Sequence, residues 1–117
     1  MPKANIRFEF IQMTKHDLPY YAVIFTTTLS DQLAGYIEMA KKMEELAQQQ
    51  PGFLGMASAR SEIGITISYW ASLDAIDLWR KNAEHGKAKA MGKSKWYASY
   101  ELKICKVLNT YNQNIHM

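Results

Sequence analysis

From Tyr20 to Leu29 the chain reads YYAVIFTTTL, a run of β-branched and aromatic residues that predicts a strand. Ser30 and Asp31 follow, with side-chain oxygens suited to the unpaired amides at the start of a helix. In DQLAGYIEMAKKMEELAQQQ, the apolar residues Leu33, Tyr36, Ile37, Ala40, Met43 and Ala47 recur at helical spacing, so one stripe of that helix is expected to be buried. Pro51 and Gly52 stop it. FLGMASARSEIGITISYWAS then holds two extended runs around Glu62, Ile63 and Gly64, which reads as a β-hairpin.

Ser72 is a second plausible cap, and SLDAIDLWRKNAEH behind it is amphipathic. Projected at about 100° per residue, Ile76, Trp79 and Ala83 share one face, with Leu73 at its edge and Asp77, Lys81 and Glu84 opposite. His85 falls roughly 130° from the middle of the apolar stripe and is expected at the rim. Gly86 and Gly92 weaken the helix beyond it, and GKAKAMGKSK reads as a short helical turn with loop. WYASYELKICKVLNTY, residues 96 to 111, alternates Trp96, Ala98, Tyr100, Leu102 and Ile104 on one face and predicts a long strand.

The order β-α-β-β-α-β in a chain of 117 residues points to an α+β, ferredoxin-like sandwich: two helices on one face of a four-stranded antiparallel sheet. The domain is expected to span residues 19–111. Residues 1–18 stand outside as an arm, or as an extra edge strand through IRFEFIQ, and residues 112–117 form a tail. In the hairpin, Ile65, Ile67 and Tyr69 share a face that suits the helix-covered core, and Thr66, Ser68 and Trp70 share the other. With Ile24 and Met56 joining Trp70, that second face is too apolar to stand in water. A second copy would cover it by two-fold symmetry, giving a homodimer with facing sheets. The N-terminal 18 residues folded over the same face are the alternative cover.

Composition narrows the function. No apolar run approaches the length of about 20 residues that a membrane helix needs, so no membrane role is expected. MPKANIRFEF lacks the apolar core and small-residue site of a secretory signal, and the single Cys105 can form no internal disulfide, so a reducing, cytoplasmic setting is the expectation. The net charge of +3 owes much to Lys87, Lys89, Lys93 and Lys95, a cluster that reads as solvated surface. His16, His85 and His116 are scattered, and neither H-E-x-x-H nor a paired-cysteine spacing occurs, so no metal site is expected. No glycine-rich nucleotide cradle occurs either, and GFLG at residues 52–55 reads as a helix stop entering a strand. Glu84 and His85 are helical neighbours that diverge by about 100°, which argues against an acid and base pair. Cys105 reads as a small hydrophobe on a strand. RNA-recognition motifs share the element order, but GITISYW does not fit their aromatic third-strand signature, so no nucleic-acid partner is expected.

What stands out is the aromatic load: Trp70, Trp79 and Trp96 with Tyr69, Tyr97 and Tyr100. Most aromatics in a small domain belong to its core. Together they could also wall an apolar pocket between helices and sheet that fits a flat hydrophobic molecule, with tyrosine hydroxyls, indole N–H groups and His85 as its polar atoms.

The segment GITISYWASLDAIDLWRKNAEHGKAKAMGKSKWYASYELKICKV, preceded by PGFLGMASAR, resembles the antibiotic biosynthesis monooxygenase superfamily, in particular its small stand-alone bacterial branch. The likeness rests on Tyr69-Trp70, Ser72-Leu73, Trp79, Glu84-His85, Gly92, Trp96-Tyr97 and ICKV, and spans roughly residues 20–111. It implies a dimeric α+β barrel. It also implies one of two chemistries: oxygenation of aromatic polyketides without metal or flavin, in which the substrate anion itself reduces oxygen, or haem binding and degradation. The haem branch places an asparagine on the first strand, a tryptophan on the second helix and a histidine about ten residues further on; Trp79 matches, but the other positions are Phe25 and Lys89. No cofactor is therefore expected, with haem as the lesser alternative. For oxygenation, Trp70, Trp79, Trp96 and Tyr100 are the expected substrate-binding residues, with Trp70 or Trp79 walling the ring, Tyr69 or Tyr100 hydrogen-bonding it, and Arg60 or His85 stabilising it or accepting its proton. For His85, a helix-end cation satisfying terminal carbonyls is the competing role. The leading reading is a monooxygenase of a small aromatic or quinone-like compound, and the alternative is a non-catalytic ligand-binding or stress-related dimer with the same pocket.

Overall fold

A computed structural model of the chain describes residues 7–11, 17–82, 86 and 95–113. Its elements in chain order are β1 (Arg7–Ile11), β2 (Tyr20–Leu29), α1 (Tyr36–Gln48), β3 (Phe53–Arg60), β4 (Gly64–Trp70), α2 (Leu73–Lys81) and β5 (Tyr97–Val107). All five strands form one antiparallel sheet in the order β1-β3-β4-β2-β5. Each helix carries the chain across one intervening strand, α1 from β2 over β4 to β3 and α2 from β4 over β2 to β5, which is the split arrangement expected from the element order. Arg7–Ile11 pairs with β3 from Arg60 to Met56 and so closes that edge of the sheet.

Local chemistry sets the helix ends. At α2 the Ser72 hydroxyl accepts the Ala75 amide at 3.1 Å, as the cap reading requires. At α1 the helix begins later than the cap signals suggest. Gly35, at φ +82°, precedes its first residue, and the Ser30 hydroxyl donates to the Lys95 carbonyl at 2.5 Å while accepting the Gln32 amide. Ser30 thus ties the end of β2 to the approach to β5 instead of capping α1.

The faces of the sheet are the reverse of the expectation. Register pairs Tyr21 with Trp70, Val23 with Ser68 and Phe25 with Thr66. This set, with Met56 and Ser58 on β3, lies under the helices. The core is built there: Trp70, completely buried, packs with Ala47 of α1 and Ala75, Ile76 and Trp79 of α2, flanked by Tyr21, Val23, Met43, Leu46 and Phe53. Trp70 and Trp79 stack with ring centroids 6.1 Å apart, and Phe53 meets Trp70 edge-on at 5.5 Å. Ile67, Ile65 and Tyr69 instead point away from the helices with Ile24, Ala57 and Ala59, and Ile65 is 44% exposed. Alternation misassigned the two sets because the helix-side residues of β4 are small and polar, a feature whose reason lies in the space above them.

The predicted turn and loop over GKAKAMGKSK lies almost wholly outside the described residues. Among the described residues, no helix is long and apolar enough to cross a membrane.

Candidate functional site

Trp70, Ile76 and Trp79 fill one end of the layer between helices and sheet. Toward the β3–β4 hairpin, Ser58, Thr66, Ser68, Thr27 and Gly64 are small residues of the sheet that line the space under α1. The result is a cavity of about 790 Å³, within the range of small-molecule sites. Its roof is α1, through Tyr36, Met39, Ala40 and Met43, and Trp79 closes it toward the core.

The hairpin end is aromatic and cationic. Phe25 meets Tyr97 edge-on at 5.4 Å and lies 6.0 Å from Tyr100. Tyr36 bridges to Trp96 at 5.7 Å and to Tyr97 at 6.1 Å. Trp96 is fixed by an indole N–H that donates to the Ala34 carbonyl at 3.1 Å. Arg60 ends β3 on the same side. Its Nη2 donates to the buried Thr27 hydroxyl, its guanidinium lies 5.9 Å from the centre of the Tyr36 ring, and its Nη1 is shut off from water without a hydrogen-bond partner. Gly64, cross-strand from Arg60, makes room for it, since a Cβ there would overlap the guanidinium.

Tyr97 is held protonated. Burial is the main reason, the neighbouring Tyr36 adds to it, and the Arg60 charge only partly offsets them, so its hydroxyl is pushed up to about 12. Near neutral pH it is therefore a donor. Glu44 is the only carboxylate among the described lining residues.

Of the residues singled out from sequence, Arg60, Trp79, Trp96 and Tyr100 all line this one cavity. Trp70 does not: it is sealed in the adjoining core, its indole N–H spent on the Ser68 hydroxyl at 2.9 Å. Tyr69 is on the opposite face of the sheet, edge-on to Tyr20 at 5.9 Å, where burial and then Tyr20 raise its pKa. Both placements follow from the reversed faces of β4. His85 lies outside the described residues.

Sequence reasoning missed Tyr36 and Thr27 as parts of the site, and it named Tyr97 among the aromatics that could wall a pocket without giving it a role. Strict alternation along β5 puts Tyr97 and Tyr100 on opposite faces. In the structure Thr28 pairs with Ser99 but Leu29 pairs with Tyr97, so Ala98 is the extra residue of a β-bulge and both tyrosines face the cavity, 6.4 Å apart. Thr27 had a legible signal, since it follows Val23 and Phe25 at strand spacing.

Of the positions that characterise the haem branch, Phe25 and Trp79 are among the described residues and Lys89 is not. The first-strand position where the haem branch carries asparagine is Phe25, a wall residue with no hydrogen-bonding atom. Among the described residues no three His, Cys, Asp or Glu side chains gather as a metal site.

Comparison with known proteins agrees with this architecture. The chain is 52% identical over 91 residues to the uncharacterised protein YqjZ of Bacillus subtilis, covering 76% of this chain and 80% of that protein. Among solved structures it resembles a Mycobacterium tuberculosis protein at 13% identity, with a TM-score of 0.70 over 80% of this chain and 99% of that one. It also resembles SnoaB, a cofactor-independent oxygenase from Streptomyces nogalater, at 14% identity, with a TM-score of 0.63 over 83% of this chain and 97% of that one. At such identities the likeness to these two structures is one of fold. The profile of the antibiotic biosynthesis monooxygenase family matches residues 19–91, more than half of the chain, and the chain belongs to that family.

Proposed function

We propose that this protein is a cofactor-independent monooxygenase of a small aromatic or quinone-like compound. The observation that carries the reading is the cavity: an aromatic-walled hollow under α1 with a cation and the protonated Tyr97 gathered at one end. A phenol or anthrone seated there would lie against Phe25, Trp79 and Tyr100 while Arg60 stabilises the anion formed when it loses a proton. That anion would give an electron to dioxygen. A carbon–oxygen bond forms, the oxygen–oxygen bond then breaks, and a ring methylene ends as a carbonyl with the second oxygen atom released as water. The oxidant is dioxygen and the electrons come from the substrate, so no further reductant is needed. His85 is proposed as the base that receives the first proton.

We infer further that two copies pair through the faces of the sheet that carry Ile24, Ile65, Ile67 and Tyr69. The support is an apolar surface pointing away from the helices, exposed at Ile65, together with the family's fold.

Oxygen uptake tests the catalytic reading. With a panel of naphthalene hydroquinones and anthrones, the wild type should consume oxygen well above the uncatalysed rate, and Trp79→Phe and His85→Ala should each lower that rate. If no member of the panel is consumed faster with the protein than without it, the catalytic reading is wrong. The scarcity of acids and bases among the described lining residues favours the second reading, a non-catalytic ligand-binding dimer, in that event. A binding titration with the same panel would establish it.

A further inference from the structure

Arg60 carries a charge that the protein neutralises on one side only. Among the described residues no carboxylate pairs with it. Thr27 takes Nη2, the Tyr36 ring lies beneath the guanidinium, and Nη1 is buried with no acceptor. A buried donor on a cation is costly to leave unmade, and most are satisfied by protein, by water or by a ligand. Among the described lining residues Glu44 is the single carboxylate. Tyr36, Tyr97 and Tyr100 bear phenols, Tyr97 keeps its proton to high pH, and Arg60 and Arg80 outnumber Glu44 among the described charges lining the cavity. The remaining described lining is apolar apart from hydroxyl side chains such as Ser58, Thr66 and Ser68.

We propose that the cavity selects molecules with one anionic oxygen on an apolar body, and that this oxygen docks on the Arg60 guanidinium at the β3–β4 hairpin end. The proposal rests on the reading of the cavity as a ligand site and adds the charge and the orientation of what enters. The guanidinium sits on a long stem, so a modest turn of the side chain presents Nη1 to an incoming oxygen. An ionised enol or phenol and a carboxylate share the required chemistry. Gly64 is part of the device, because any side chain there would push the guanidinium off its seat.

Two matched pairs of probes, titrated calorimetrically at neutral pH, test it: hydroxynaphthoquinone against its neutral methyl ether, and naphthoate against naphthamide. The wild type should hold the anionic member of at least one pair about tenfold more tightly or better. Which pair shows the larger preference tells enolate from carboxylate. In Arg60→Met the anion should fall to the affinity of its neutral partner, while the neutral ligand changes by less than about threefold. Arg60→Lys should recover part of the preference. Gly64→Ala leaves the charge in place but displaces it, and should lose the preference as Arg60→Met does; it serves independently should Arg60→Met fold poorly. If the wild type binds neutral and anionic members equally, or Arg60→Met weakens both alike, the anion docking is wrong and the cavity remains a ligand site. If the wild type binds none of the four, the ligand-site reading falls and this proposal with it.

Discussion

Trp70 and Trp79 stack on each other, yet only Trp79 borders the cavity, so replacing each by phenylalanine should separate stability from binding. For Trp70→Phe the expected loss can be worked from its contacts. The indole N–H donates to the half-buried Ser68 hydroxyl at 2.9 Å, and losing such a bond costs about 1 kcal/mol. The smaller ring leaves a void of roughly 40 Å³, which at about 24 cal/mol per Å³ adds about 1 kcal/mol. The edge-on contact with Phe53 and the stack on Trp79 persist in weaker form, so the total is about 2 to 3 kcal/mol. A chain of 117 residues unfolds with an entropy of about 0.25 kcal/mol/K, so the melting temperature should fall by about 8 to 12 °C. Thermal melts followed by circular dichroism, at one fixed protein concentration because dimerisation would shift the midpoint, measure this. Affinity for a quinone probe should stay within about twofold of wild type in Trp70→Phe and fall further in Trp79→Phe. A Trp70→Phe protein that melts within about 2 °C of wild type but binds the probe poorly would refute the division between core and cavity.

Tyr97 should titrate late: ultraviolet phenolate absorbance should show a group ionising near 12 against the ordinary 10.0, and Tyr97→Phe should remove it. Because its folded-state pKa is raised, its contribution to stability is complete below pH 10.0 and is lost as the pH rises through about 12, which denaturant melts of wild type against Tyr97→Phe across that range would detect. Gly52 sits at φ +83° with space that a Cβ would share with the Ala75 Cβ at 2.6 Å, so Gly52→Ala should lose about 2 to 4 kcal/mol in urea unfolding. Ile65→Lys places a charge on the open face of the sheet and should shift sedimentation from dimer to monomer without changing the far-ultraviolet spectrum; an unchanged sedimentation coefficient would count against pairing through that face.

Hydrophobic periodicity located the elements because most of them obey one rule at a time. α2 is a short helix with its cap, its buried Ile76 and Trp79 and its polar side all in register. α1 was harder to bound. Its apolar residues begin at Leu33, but Ser30 finds a carbonyl at the far end of the chain, and the left-handed Gly35 turns the backbone before the helix can start. A cap is a local signal, and here a long-range hydrogen bond competes with it for the same hydroxyl.

The site was less legible for a related reason. The inference from alternation assumes that the apolar face of a strand is the buried one, which holds where a sheet is packed solid. Over β4 it fails. Thr66 and Ser68 lie under the helices because the space above them is hollow, and Ile65 and Ile67 lie on the far side, where a second copy is proposed to bury them. Alternation also failed to put Tyr97 on the same face as Tyr100: only an extra residue at Ala98 turns it inward beside that ring. A strand whose small polar residues face the helices is thus a signature of a cavity, not of an exposed surface. In this chain the signature coincides with a cross-strand glycine, Gly64, whose missing Cβ leaves room for the Arg60 guanidinium, so that the void and its charge arise from the same few residues of the β3–β4 hairpin.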